Sequence, residues 1–257
     1  MTQPTIEFFQ LMQMAFTHFN ATLFQDKLPE CMITAQRQRN VMGYFSAERW
    51  RHTNGEIAHE IALNPAYFAQ HRLIEVLQTL VHEQVHLWQH VFGKHKSRSG
   101  YHNREWANKM KSVGLIPSHN GLPGGRVTGQ SMSDYPDPNG EFIRACKSLI
   151  TQGYQLNWID TEPAIDDSCQ PRHEWMESAA STPAEEDSDT DVVLMNLLMQ
   201  PIIELVPEID LRSDPVKLQK KQSKSRYSCP SCSVHVWGKP DLNLICGDCG
   251  VQLKVDG

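Results

Sequence analysis

Thr79-Leu80-Val81-His82-Glu83-Gln84-Val85-His86 decides how the rest of this 257-residue chain reads. Two histidines stand four residues apart, and a glutamate follows the first. From about His71 to Phe92, Leu73, Leu77, Leu80, Val81 and Val85 recur at the period of a helix with one buried stripe, and Gly93 supplies a stop. Side chains four apart leave a helix from one face, so His82 and His86 can share an ion while Glu83 turns toward a neighbouring flank. Zinc lowers the pKa of a water toward about 7, and a carboxylate beside it can take the proton and hand it to a departing amine. The pattern predicts a hydrolytic site with Glu83 as general base. Chance alone would place such a motif in about one chain in a hundred of this length, and the helical setting argues against chance.

A catalytic zinc needs a third protein ligand and one open position. His90 continues the four-residue series but lies roughly 12 Å along the helix from His82, too far to share the ion. The pattern HExxHxxGxxH fails as well, because Gln89 and Phe92 stand where Gly and His are required. The third ligand is therefore expected beyond Gly93, from His95, His102 or Glu105. His95 sits in the basic stretch Lys94-His95-Lys96, whereas His102 follows Gly100-Tyr101 at the start of a second helix expected from Asn103 to about Val113. A helix start can hold an imidazole rigidly, which favours His102. Tyr101 and Tyr135 are candidates to hydrogen-bond the developing oxyanion, and Trp88 and Trp106 read as core.

Outward from the motif, Ile6, Phe9, Met12, Phe16, Phe19 and Leu23 predict an amphipathic helix over residues 4–25. Met32 to Ala35, Met42 to Ser46 and Glu56 to Leu63 predict a small sheet, closed by Asn64-Pro65. Helix, sheet, helix, helix implies the α+β class. After residue 120 a Gly-containing stretch with Leu122, Val127, Met132 and Tyr135 as apolar anchors reads as an ordered loop.

These residues resemble the SprT-like family of zinc metallopeptidases, which also contains the Spartan proteases acting on protein–DNA crosslinks. The resemblance covers residues 8–135 and runs through Phe19-Asn20, Leu28-Pro29, Gly43-Tyr44-Phe45, Glu60 to Pro65, Thr79 to His86 and Tyr101-His102-Asn103-Arg104-Glu105-Trp106. It implies a minimal zincin-like domain and a downstream histidine as third zinc ligand, which maps onto His102.

Cys229-Pro230-Ser231-Cys232 is followed after 13 residues by Cys246-Gly247-Asp248-Cys249, the spacing of a four-cysteine zinc ribbon. Four thiolates leave no open position, so this second zinc is structural and replaces a hydrophobic core. Many SprT-like proteins carry such a ribbon.

The net charge of −6 conceals −13 over residues 160–210, between +3 before that segment and +4 after it. The expected organisation is a metallopeptidase domain at 1–158, an acidic and largely disordered linker at 159–215 with an apolar segment at 191–206, and a basic lead-in plus ribbon at 216–257. Whether the apolar segment docks on the catalytic domain or on a partner stays open. Lys217, Lys220, Lys221, Lys224 and Arg226, with Tyr227 and Trp237 as stacking faces, are candidate nucleic-acid contacts.

No apolar run approaches the roughly 20 residues a membrane span needs. The N-terminus lacks a basic region followed by an apolar stretch, so a cytoplasmic monomer acting on protein substrates, with DNA as a further partner, is expected. The alternative is a nucleic-acid-binding or regulatory adaptor that keeps the fold without turnover, but an adaptor has no use for Glu83.

Overall fold

The structure, a computed structural model, describes residues 2–95, 97–162, 189–205 and 224–255. The chain forms two units, Met1–Leu211 and Arg212–Gly257.

In the first unit, helix α1 (Pro4–Phe24) starts on a proline, whose fixed φ suits a first helical turn, and buries Met12, Ala15, Phe16, Phe19, Asn20 and Phe24. It ends where Gln25 adopts a left-handed φ of 60°. Asn20 closes the following turn in both directions, accepting from the Leu28 N–H at 3.0 Å and donating to the Leu28 carbonyl at 3.1 Å. The chain then enters a three-stranded sheet of β1 (Cys31–Ala35), β2 (Gly43–Arg51) and β3 (Ile57–Leu63) in the order β1-β3-β2. β3 is central, parallel to β1 and antiparallel to β2, and β2 is an edge. A register shift between Ser46 and Trp50 bends β2, with Glu48 at a φ of 53°.

Asn64 ends β3 by donating to the carbonyls of Gln38 and Val41 at 2.7 and 2.8 Å. Helix α2 (Leu73–Phe92) lies against β2 and β3, burying Leu73, Ile74, Val76, Leu77, Leu80, Val81, Val85 and Leu87. Gly43 is required at the contact, because a Cβ there would stand 2.7 Å from Thr79 Cγ2 and 3.0 Å from the Ala62 carbonyl. Beyond α2 come β4 (Tyr101–His102), α3 (Arg104–Ser112), β5 (Leu115–Ser118), β6 (Gly129–Gln130), β7 (Ser133–Pro136) and α4 (Glu141–Thr151). β4 pairs with β6 and β5 with β7, both antiparallel.

α4 has no counterpart among the elements expected from the sequence. Yet Phe142, Ile143, Cys146 and Leu149 carry helical spacing and are buried, and Phe142 stacks on Phe19 at 6.0 Å. The Gly-containing loop likewise yields two short strands, because β6 and β7 find partners distant in sequence.

Two further helices, α5 (Asp189–Met199) and α6 (Ile202–Leu205), settle where the apolar segment goes. Leu198 and Ile202 are buried in the core of the first unit, and the N–H groups of Ile202 and Ile203 donate to the carbonyls of His71 and Ala69 at 2.9 and 3.0 Å. Lys147 on α4 pairs with Asp191 at 2.9 Å. Residues 189–205 thus brace the turn that leads into α2. Of the linker expected at 159–215 to be largely disordered, residues 163–188 and 206–215 lie outside the described residues.

The second unit is a sheet of β8 (Ser225–Ser228), β9 (His235–Gly238) and β10 (Lys254–Val255) in the order β10-β8-β9. Tyr227, Cys229, Cys246 and Leu253 form its buried apolar cluster. The Tyr227 hydroxyl donates to the Lys239 carbonyl at 2.6 Å and accepts from the Leu242 N–H at 2.9 Å. Among the described residues, no helix is long and apolar enough to cross a membrane.

Candidate metal centre and active site

Helix α2 presents His82 and His86 from one face. The third imidazole arrives on β4 rather than on the start of α3, because His102 pairs with Gly129 of β6 and Asn103 is the helix N-cap. The Asn103 side chain accepts from the Trp106 N–H at 3.0 Å and from Gln89 Nε2 at 2.8 Å, and donates to the His95 carbonyl at 2.9 Å. One asparagine therefore caps α3, ties it to α2 and holds the intervening loop.

His82, His86 and His102 each offer a nitrogen within 4.8 Å of the others. Nε2 of His86 and Nε2 of His102 stand 3.1 Å apart. Two nitrogens on one tetrahedral zinc, at 2.0–2.1 Å from it, would be about 3.3 Å apart, so the donor set fits the ion. Trp106, fully buried, forms the floor, with its ring 4.3 Å from His102, 5.0 Å from His82 and 5.5 Å from His86.

Residues 12–124 match the family model described as the SprT-like family. The chain carries a SprT-like domain. An uncharacterized protein in the mucB 3′ region of Salmonella typhimurium is 43% identical over 47 residues, which are 18% of this chain and 64% of that protein. The chain thus spans under two thirds of that relative's length. No solved structure matches the chain.

Within the SprT-like domain, Glu83 is buried at 6% exposure and its carboxyl is pushed up to about 7. Burial is the main cause; the charge of His82 and the hydrogen-bonded Phe45 N–H act downward, and Asp134 acts upward. Burial pulls His86 well below the usual histidine range and His102 down to about 4, with the charge of His82 adding to both. Both rings are therefore neutral near pH 7, the form that ligates a metal. Burial also acts downward on His82, but its bond to Asp134 and the charges of Glu83 and Asp134 outweigh it and raise the pKa.

No local sequence pattern points to Asp134. It lies on β7, buried, and accepts from His82 Nδ1 at 2.7 Å through Oδ2. Gln78 Nε2 donates to its Oδ1 and to its carbonyl, both at 2.9 Å. Strand alternation turns Tyr135 to the opposite face from Asp134. Tyr101 lies on β4 under the Arg98 guanidinium, 5.0 Å from the ring centre.

His95 and Glu105, the other two third-ligand candidates, meet each other in the loop after α2. Glu105 accepts from the backbone N–H groups of Lys94 and His95, each at 2.9 Å, and so clamps the loop. His90 stands 3.9 Å from Glu48, with its ring 4.9 Å from that of His59, outside the three-imidazole cluster. Trp88 packs partly buried against the core.

In the second unit, Cys229, Cys232, Cys246 and Cys249 each offer a sulfur within the same 4.8 Å limit. The Sγ atoms of Cys232 and Cys246 are 3.7 Å apart, against about 3.8 Å for two thiolates on a tetrahedral zinc at 2.3 Å. Each cysteine pair sits on a tight turn, with Ser233 N–H donating to the Cys229 carbonyl and Gly250 N–H to that of Cys246, at 3.0 and 2.8 Å. Of the candidate nucleic-acid contacts, Arg226 lies directly opposite Trp237 across β8 and β9, and Trp237 is 64% exposed. Lys224 precedes β8, whereas Lys217, Lys220 and Lys221 lie outside the described residues.

Proposed function

We propose that the SprT-like domain is a zinc-dependent endopeptidase, with His82, His86 and His102 holding the ion and Glu83 as general base. The observation that carries this reading is the approach of three imidazoles, two of them held neutral by burial, beside a buried carboxylate whose pKa is raised to about 7. Bound zinc would supply a Lewis acid that polarises a carbonyl and acidifies water. Glu83 takes the proton from the attacking water and returns it to the departing amine. A carboxyl tuned near neutrality can do both, since it neither binds the proton too weakly to accept it nor too tightly to release it.

The neighbouring strand supports a polypeptide substrate. The Asn64 N–H donates to the Met42 carbonyl at 2.8 Å, so antiparallel alternation directs the backbone groups of Gly43 and Phe45 away from β3. The Phe45 N–H faces Glu83. An extended peptide laid along this edge of β2 would gain main-chain hydrogen bonds beside the general base.

The ribbon unit is proposed to hold a second, structural zinc and to bring the protease to nucleic acid. The cross-strand pair Arg226–Trp237 joins a cation to an exposed stacking face, and Lys254, opposite Ser228 and therefore on the same face, adds charge. The substrates would then be proteins bound or crosslinked to DNA. Reduced cysteines suit the cytoplasm, where we place a monomeric enzyme.

The test is cleavage of a DNA-binding protein by the full chain, with and without DNA. The reading requires zinc-dependent cleavage that DNA stimulates. Metal bound without cleavage of any protein would favour the adaptor instead.

A further inference from the structure

We infer that Asp134 is a positioning residue that sets the tautomer and orientation of His82, and with them the affinity of the imidazole site for its metal. The inference rests on His82, His86 and His102 being the ligands. It concerns a residue that lies beyond positions 12–124, the span of the family match.

Asp134 reaches the site because β7 pairs with β5, where it stands opposite Pro117. Its Oδ2 faces His82 Nδ1 at 2.7 Å, with side chains 5% and 14% exposed, respectively. An ionised carboxylate has lone pairs and no proton, so the hydrogen in this bond belongs to Nδ1. A neutral His82 then carries its free lone pair on Nε2, the atom available to an ion. In the other tautomer, Nε2 would hold a proton and could not ligate. The bond also fixes the rotation of the ring, and the negative charge strengthens the imidazole as a donor.

Gln78 makes the arrangement rigid. It lies one turn before His82 on α2, and its side-chain amide donates to both Oδ1 and the carbonyl of Asp134. Both carboxylate oxygens and the backbone of β7 are thereby docked on one helix face. Asp134 therefore cannot swing away from His82 without losing its bonds to Gln78 as well.

A purely structural role would make Asp134 a tie between β7 and α2. The two roles separate experimentally, because Gln78→Ala removes the tie but leaves the carboxylate on His82. Asp134→Asn keeps the shape and the bonds to Gln78 but removes the charge that demands an Nδ1 proton. The experiment uses the full chain with its ribbon metal in place and measures zinc affinity at the imidazole site by chelator competition. Cobalt absorption is recorded in parallel, since thiolate charge-transfer bands mark ribbon metal and are absent from an imidazole site. Melting temperatures report folding.

Asp134→Asn and Asp134→Ala are expected to weaken zinc binding by about 10- to 100-fold and to shift the visible cobalt bands, while Gln78→Ala stays near the unsubstituted affinity. Folded Asp134 variants that bind zinc as tightly as the unsubstituted chain would overturn the inference. So would a loss in Gln78→Ala equal to that in Asp134→Asn, which would make the role structural. An unsubstituted chain that takes up metal only at its thiolates would instead overturn the assignment of the three imidazoles.

Discussion

Gln89 donates to Asn103 at 2.8 Å, linking the helix that carries two of the clustered imidazoles to the residue directly after the third. Gln89 is buried, and Asn103 also caps α3 and holds the His95 carbonyl. The spacing between His86 and His102 is therefore set by a hydrogen-bonded joint as well as by packing.

Asn103→Ala should remove that joint and the helix cap together. The expected loss is about 1–2 kcal/mol of stability, measured by denaturant unfolding, together with weaker zinc binding at the imidazole site. An unchanged midpoint and unchanged metal affinity would show that packing alone holds His102.

Glu83→Gln should reduce peptide hydrolysis by about 10²- to 10⁴-fold or more, while the chain still holds its metal. The amide keeps the shape of the carboxylate but cannot accept the proton. Near-normal cleavage by this variant would remove Glu83 from the mechanism. His102→Ala should behave in the opposite way, losing metal before anything else.

Glu105 should stabilise the loop after α2 in a pH-dependent manner. The N–H of Lys94 is the main cause that holds its carboxyl below the ordinary 4.5, with the N–H of His95 adding to it. A carboxyl with a lowered folded pKa contributes stability that is present above its unfolded value and disappears as pH falls through the folded one. The gap in melting temperature between the unsubstituted chain and Glu105→Gln should therefore be open at pH 6 and close as pH falls below about 4. A gap that is constant with pH would contradict the charge-based clamp.

The two metal sites should differ in lability. Three imidazoles with an open position exchange an ion more readily than four thiolates in a closed site. Limited chelation should remove one zinc and the peptidase activity first, while the ribbon cysteines stay protected from alkylation. Four cysteines that react at once in the gently purified protein would contradict the ribbon site.

Leu198→Ala or Ile202→Ala should cost about 2–5 kcal/mol, because each deletes a buried side chain that anchors the α5–α6 brace. Thermal unfolding of the first unit reports the loss. A change below about 0.5 kcal/mol, the scale of surface substitutions, would mean the brace is detachable.

Much of the site was legible before folding. The spacing of His82, Glu83 and His86 on a periodic apolar stripe, the cysteine pairs at 229–232 and 246–249, and the amphipathic first helix are short-range patterns. The backbone geometry of a single helix or knuckle turns such spacing directly into side-chain direction. Even the expectation that His102 belongs with His82 and His86 was accessible, because few candidates follow the helix, and the three rings do cluster.

Asp134, the Trp106 floor, the outward-facing edge of β2 and the docking of residues 189–205 were not legible in this way. Asp134 meets His82 across 52 positions of chain, and Ile202 meets His71 across a still longer span that includes undescribed residues. No period connects such partners. Each is brought into place by the burial of apolar surface around one core, and hydrogen bonds then select the register in which buried polar groups are satisfied. Local spacing could therefore name the imidazoles, the glutamate and the thiols that the fold gathers, while their buried hydrogen-bond partners emerged only when the strands and helices packed.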